Sequence, residues 1–114
     1  MLNRPEPRHA ARLRVKVRGR DALGNPFQQD AFTCDVSERG ARLDGTPSLI
    51  DPFAIVEVQH RGRKARFRVI WVGGYGSEQH AQAGLLCLDS KRCIWGQPLP
   101  GKPVRSSISS PANF

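Results

Sequence analysis

Long apolar runs are absent from this chain of 114 residues. No stretch approaches the roughly 18 consecutive apolar residues that a membrane-spanning helix needs. Residues 1–5 also lack the apolar core of a secretory signal. We therefore expect a soluble, cytoplasmic protein without a membrane span.

Cysteine is scarce as well, and Cys34, Cys87 and Cys93 are the only three. They form no CxxC pair, and the three histidines stand at no metal-ligand spacing from them. An odd number of cysteines without such a pattern indicates reduced thiols. We predict no metal site.

The motifs of nucleotide-dependent enzymes are also missing. The chain contains neither GxxxxGK followed by Ser or Thr nor GxGxxG, so phosphate-loop and dinucleotide sites are excluded. Asp35 and Ser37 lie two residues apart, but no histidine is near in sequence to complete a catalytic relay. We predict a protein that is not an enzyme, with no catalytic residues and no cofactor.

Positive charge is abundant. The chain has 18 basic and 10 acidic residues, for a net charge of +8. Residues 1–20 hold seven basic residues against Glu6 alone, and a second basic cluster lies in residues 61–68. Both clusters would attract an anionic partner, and the alternative for each is a solvated surface.

The apolar residues follow a period of two in short segments. Leu13, Val15 and Val17 alternate with basic residues, which is typical of a half-buried strand. Turn-forming residues separate similar segments, and we predict strands over about 12–18, 27–35, 41–44, 53–59, 64–72 and 83–88. Six short strands at regular spacing predict an all-β fold, a six-stranded antiparallel β-barrel.

The composition divides the chain into three parts. Residues 1–11 are predicted to be a flexible basic arm, residues 12–97 the barrel, and residues 98–114 a disordered tail rich in Pro and Ser. Phe32 and Cys34 are expected on the apolar face of the second strand, and Trp71 on the same face as Phe67 and Val69. The expected inward positions are Leu13, Val15, Val17, Phe32, Cys34, Leu43, Val56, Val58, Phe67, Val69 and either Leu85 or Leu86.

Two short motifs combine groups that can bind an anionic nucleotide. Arg8 and Arg12 are spaced RxxxR just before the first strand, and an arginine fork pairs with phosphate or with the O6 and N7 edge of guanine. Asp35 can accept hydrogen bonds from the N1 and N2 donors of guanine, and Ser37 can bond a base edge or a phosphate. Gly40 would let the backbone approach a ligand closely.

The order of these motifs resembles the PilZ domain family, which binds the bacterial second messenger cyclic di-GMP. RxxxR precedes the DxSxxG of residues 35–40 by 23 positions, counted from Arg12 to Asp35. The resemblance continues through residues 40–43, 67–73 and 83–87, and it covers about residues 8–96. It implies a six-stranded barrel and a cyclic di-GMP site formed by Arg8, Arg12, Asp35, Ser37, Gly40 and Trp71.

Two other functions remain open at this point. A barrel of this type that does not bind the nucleotide would act as a protein-interaction module, and a downstream protein partner is expected in either case. A basic barrel that binds nucleic acid is the third reading, but the strand faces lack the regular exposed aromatic residues of a stacking platform.

Overall fold

The structure, a computed structural model, describes residues 8–21, 23–46, 51–74, 76–78, 80–89, 93–96, 99 and 101–103. Within these residues all regular structure is β-strand. The strands are β1 His9–Ala10, β2 Arg14–Arg20, β3 Pro26–Val36, β4 Gly40–Asp44, β5 Ile55–His60, β6 Arg63–Val72, β7 Gln82–Cys87 and β8 Lys102–Pro103.

Six of these strands close into a barrel. Their order is β2-β5-β6-β7-β4-β3, and a further pairing of β2 with β3 completes the ring. Every pairing is antiparallel. The predicted six-stranded antiparallel barrel is therefore confirmed. Closure removes the free edges that would otherwise let an all-β chain pair with other copies.

The two short strands add to the end of β3 that continues beyond its pairing with β2. β1 pairs with the end of β3, where His9 lies opposite Val36 and Ala10 opposite Asp35, and β8 pairs with the other side of β1. The predicted arm (1–11) and tail (98–114) lie largely outside the described residues. Where they are described, β1 and β8 correct the expectation of irregular chain, because pairing satisfies their backbone groups.

The core is filled by the alternate residues of the six barrel strands. Its members are almost fully buried, and Phe67, Leu43 and Leu85 are the largest of those that are less than 2% exposed. Ile94 and Trp95, which lie after the last barrel strand, complete the core. Eight expected inward positions are confirmed as buried: Val15, Val17, Leu43, Val56, Val58, Phe67, Val69 and Leu85. Leu13 is only partly buried and packs at the margin of the core.

The faces of β3 are the reverse of those expected. Phe32 is 36% exposed and Cys34 is half-buried, whereas Ala31 and Thr33 are buried. The Thr33 hydroxyl accepts a hydrogen bond from the Leu13 amide at 2.9 Å and donates one to the Ala11 carbonyl, so this polar side chain is satisfied inside the barrel. The predicted faces of β3 are therefore wrong, because they were assigned from the polarity of the side chains alone.

Two β-bulges change the direction of side chains near the strand ends. In β3, Thr33 lies opposite Leu43 but Asp35 lies opposite Arg42, so Cys34 is an extra residue. In β6, Val69 lies opposite Leu85 but Trp71 lies opposite Gly84, so Ile70 is an extra residue. Such an insertion moves the following side chain to the other face.

Trp71 therefore does not share the face of Phe67 and Val69, and that prediction is wrong. Its indole lies over Gly84, and a Cβ atom added to Gly84 would fall 2.0 Å from the Trp71 Nε1 atom. The Trp71 ring can therefore occupy this position only because Gly84 has no side chain.

We expect Gly84→Ala to lower the free energy of unfolding by about 1–3 kcal/mol, because the ring must leave its place or the strands must separate. Urea denaturation followed by circular dichroism measures this change. Gly74→Ala is the matched control, because nothing lies within 4 Å of its added Cβ. Equal stability of the two variants would contradict the packing described for Trp71.

Candidate ligand-binding site

A row of four residues crosses neighbouring strands on the outside of the barrel. Trp71 lies opposite Gly84, Gly84 opposite Arg42, and Arg42 opposite Asp35. Directly opposed residues of an antiparallel pair share one face. Because Leu43 and Leu85 point into the core, this outer row of Trp71, Gly84, Arg42 and Asp35 faces away from it.

The centre of the row is an ion pair. Arg42 Nη2 lies 2.9 Å from Asp35 Oδ2, and the Asp35 residue is only 3% exposed. A buried carboxylate is costly unless it is paired and hydrogen-bonded. Asp35 Oδ1 and Arg42 Nε are buried without a hydrogen-bond partner. The pair therefore has one acceptor, Asp35 Oδ1, and one donor, Arg42 Nε, that can bond to a further polar group.

Arg8 adds a second positive charge to this pair. Burial lowers the pKa of the Arg8 guanidinium, while the nearby Asp35 carboxylate raises it and Arg42 lowers it again. Strand β1, which directly follows Arg8, is held against β3, because Ala10 pairs with Asp35. Two guanidinium groups thus lie near one carboxylate, and the cluster has an excess of positive charge that favours an anion.

Arg12 lies on the same outer face, beside Asp44 and Phe32 rather than in the Asp35–Arg42 ion pair. Its Nη1 is 3.9 Å from Asp44 Oδ2, and its guanidinium carbon lies 4.4 Å from the centre of the Phe32 ring. The Arg12 side chain is 65% exposed. Exposed ion pairs contribute little stability, so Arg12 can turn toward a ligand at a small cost in free energy.

Cys34, the extra residue of the β3 bulge, is near these charged groups. Burial raises the pKa of its thiol, with opposing contributions from Arg42 and Asp44 and smaller ones from Asp35 and Arg12. The same charges therefore act on one half-buried side chain. Phe32, whose ring lies beside the Arg12 guanidinium, and Asp35 are three residues apart along β3, so the Arg12 and Asp35 parts of the face adjoin.

Ser37 and Gly40 form the turn that joins β3 to β4. The Ser37 amide donates to the Gly40 carbonyl at 2.9 Å, and both residues are buried. Gly40 lies opposite Leu86 in the sheet. These residues hold the turn next to Asp35, and a ligand contact through the Ser37 hydroxyl stays a prediction.

Of the predicted site residues, the structure brings Arg8 and Asp35 together and places Arg12 nearby on the same face. Trp71 stands at the far end of the outer row, where its Nε1 atom is buried without a hydrogen-bond partner. Arg42 was not predicted as a site residue. Its signal was its position two residues after Gly40, where a period of two in β4 places it outward, between two inward-facing apolar residues.

The chemistry of the site is that of polar recognition. Asp35 Oδ1 is an acceptor, whereas Arg42 Nε and Trp71 Nε1 are donors, and all three are buried and unpartnered.

Among the residues that the structure describes, no group of three or more His, Cys, Asp or Glu residues is arranged to hold a metal ion. In the same part of the chain, no helix is long and apolar enough to cross a membrane.

Comparison with known proteins identifies the fold. No protein-family model and no curated protein sequence matches the chain. A crystal structure of the PilZ domain of CeSA from a cellulose synthesizing bacterium is similar, with a TM-score of 0.51 and 20% sequence identity over 70% of this chain and 78% of that chain. The chain therefore has a PilZ-like fold.

We expect Arg42→Met to lower the free energy of unfolding by about 2 kcal/mol, because it leaves the buried Asp35 carboxylate without its partner. The same substitution in an Asp35→Asn background should cost less, with a coupling free energy of about 1–2 kcal/mol in a double-mutant cycle. Urea denaturation of the four proteins measures it.

Arg14 and Asp30 are the control pair for this cycle. Their atoms are also 2.9 Å apart, but their side chains are 71% and 50% exposed. The coupling measured for Arg14→Met and Asp30→Asn should be much smaller, because solvent screens the pair. Equal coupling in both pairs would contradict the role of burial at Asp35.

Proposed function

We propose that this protein, a barrel with a PilZ-like fold, is a non-enzymatic receptor for cyclic di-GMP in the bacterial cytoplasm. The observation that carries the proposal is the buried Asp35 carboxylate, which has one oxygen without a partner and two arginines beside it. The sequence resemblance supports the choice of ligand, because the PilZ family binds this second messenger.

The guanine of the ligand fits the polar groups of the outer row. Asp35 Oδ1 would accept hydrogen bonds from the N1 and N2 donors of the base, which only guanine offers in this arrangement. Arg42 Nε and Trp71 Nε1 would donate to acceptors of the ligand. Burial of Asp35 strengthens such bonds, because water does not compete for the carboxylate.

The phosphates fit the two arginines of the RxxxR motif. Arg8 and Arg12 flank β1, so both approach the outer face from the same edge of β3. The negative charge of the ligand would offset the excess positive charge around Asp35. Binding would exchange the exposed contacts of Arg12 with Asp44 and Phe32 for charge-assisted bonds to phosphate.

The signal would pass through the N-terminal segment. β1 is only two residues long and depends on β3 and β8 for its pairing. A ligand that holds both Arg8 and Arg12 would stabilise this segment on the barrel, which is an order–disorder type of switch. A downstream protein partner would then recognise the closed segment.

Isothermal titration calorimetry with cyclic di-GMP tests the proposal. We expect binding by the unmodified protein and a loss of at least roughly 100-fold in affinity for the double variant Arg8→Ala, Arg12→Ala, because each charge-assisted contact contributes about 1.5–3 kcal/mol. Absence of binding at high micromolar protein would favour the protein-interaction module instead.

The double variant Arg14→Ala, Arg18→Ala is a matched control. It removes the same charge at the same spacing, but from arginines that pair with Asp30 and Glu57. It should bind cyclic di-GMP as the unmodified protein does. Equal losses in the two double variants would indicate an effect of net charge alone.

A second experiment tests the role of Asp35. We expect Asp35→Asn to reduce the preference for cyclic di-GMP over cyclic di-AMP by at least roughly tenfold, because the variant loses a charged acceptor for the guanine donors. Calorimetric titration of both dinucleotides into both proteins gives the ratio of dissociation constants. An unchanged ratio would exclude Asp35 from base recognition.

A further inference from the structure

The segment after the last barrel strand contacts both the core and the N-terminal segment. We call its described residues, 93–96, 99 and 101–103, the C-terminal strap. Ile94 and Trp95 belong to the core, and Leu99 packs against it. The Trp95 ring centre lies 5.7 Å from that of His60 and 6.2 Å from that of Phe67. One end of the strap is therefore fixed by the burial of apolar side chains.

The other end of the strap pairs with β1. In β8, Lys102 lies opposite Ala10 and Pro103 lies opposite His9. On its other side, Ala10 lies opposite Asp35 of β3. The backbone beside the buried carboxylate is therefore held from two sides, by β3 and by the strap, and both pairings satisfy its polar groups.

The backbone groups of Ala10 face the strap. The Ala11 amide donates to the Cys34 carbonyl at 3.3 Å, across the β1–β3 pair. Successive residues of a strand direct their backbone groups to opposite edges, so the amide and carbonyl of Ala10 face β8. A Cβ atom added to Gly101 would overlap the Ala10 carbonyl oxygen, which agrees with this direction. The Ala10 amide thus reports docking of the strap, and the Ala11 amide reports docking on β3.

Gly101 permits the close approach of the strap to β1. Its φ is 85°, a region that residues with a side chain rarely adopt, and its added Cβ would meet backbone rather than a side chain that can move. Gly24 also has a φ of 85°, but nothing lies within 4 Å of its added Cβ. The two glycines therefore share the backbone conformation, and only Gly101 also has the close contact.

The two arginines of the RxxxR motif depend on different contacts. Both neighbours of Arg12 are tied to β3, because the Thr33 hydroxyl donates to the Ala11 carbonyl and accepts from the Leu13 amide at 2.9 Å. Arg8 directly precedes β1, which is only two residues long. The strap supplies one of the two strand pairings of β1, so its release would loosen Arg8 and leave Arg12 in place.

One polar atom opposes the docking of β1. His9 Nδ1 is buried without a hydrogen-bond partner. His9 lies opposite Val36 on one side and opposite Pro103 on the other, so it is enclosed only when both pairings are made. An unsatisfied buried polar atom costs free energy. Strand β1 is therefore not locked in place, and a ligand can shift its docking equilibrium.

We propose that the C-terminal strap positions Arg8 for the ligand, so that docking of the strap on β1 and binding of cyclic di-GMP stabilise each other. This inference rests on the function proposed above. Because coupling between two sites is reciprocal, a ligand that holds Arg8 would also fix the strap. The presence of the ligand would then change the state of a segment that contains none of the proposed ligand contacts.

Hydrogen exchange of the full chain, labelled with ¹⁵N and free of ligand, tests the docking of the strap. We expect Gly101→Ala to speed exchange of the Ala10 amide by at least roughly tenfold, because local opening there costs less free energy, and to leave the Ala11 amide within roughly threefold. Gly24→Ala should change neither amide. Equal acceleration at both amides in Gly101→Ala, or none at Ala10, would overturn the role of the strap.

Calorimetry with cyclic di-GMP tests the coupling. Gly101→Ala should weaken binding by roughly tenfold, within the usual range for coupled sites, and Gly24→Ala should bind as the unmodified protein does. Equal affinity of Gly101→Ala and the unmodified protein would overturn the strap alone. Absence of binding by the unmodified protein would overturn the function on which the inference rests, and the exchange experiment would still show whether the strap docks.

A double-mutant cycle separates a positioning role from a general loss of stability. Once the strap is released Arg8 contributes less, so Arg8→Ala should cost at least roughly threefold less affinity in the Gly101→Ala protein than in the unmodified one. Arg12→Ala should cost the same in both. Equal coupling to both arginines, or to neither, would contradict selective positioning of Arg8. Circular dichroism checks that each variant is folded.

Discussion

The buried carboxylate of Asp35 is the constraint on which the rest of the site depends. A charge that is 3% exposed must be compensated locally, and Arg42 supplies the compensation from the next strand at 2.9 Å. Arg42 reaches it only because the β3 bulge turns Asp35 outward. The bulge, the ion pair and the docking of β1 beside Asp35 are therefore parts of one arrangement, and Arg8 completes its charge.

The barrel itself was predictable because its strands alternate strictly between core and solvent. Val15 and Val17 in β2, and Phe67 and Val69 in β6, are buried where the period of two places them. This pattern is set by burial over several residues, so it survives errors of one or two residues at strand ends. Turn residues between the segments then determine the number of strands.

The faces of Phe32, Cys34 and Trp71 were not predictable by the same reasoning. A period of two assumes unbroken pairing, and the β6 bulge shifts the period by one residue before Trp71, whereas Phe32 precedes the β3 bulge. The signals are tertiary: Thr33 is buried because its hydroxyl finds partners at Leu13 and Ala11, and Trp71 turns outward opposite a glycine. Arg42 was missed for a related reason, since its importance comes from a partner on another strand. The spacing of Arg8, Arg12 and Asp35 still selected residues that the structure places near one another, and their role in binding a ligand stays a prediction.

The packing of Trp71 on Gly84 also has a consequence for evolution. A side chain at position 84 and an indole at position 71 exclude each other, since the added Cβ would fall 2.0 Å from Nε1. Position 84 cannot gain a side chain while an indole occupies position 71. Related barrels should therefore exchange the two together, a small residue in β7 accompanying an aromatic one in β6. This coupling of positions 71 and 84 would identify the outer row in sequences whose overall identity is too low to align.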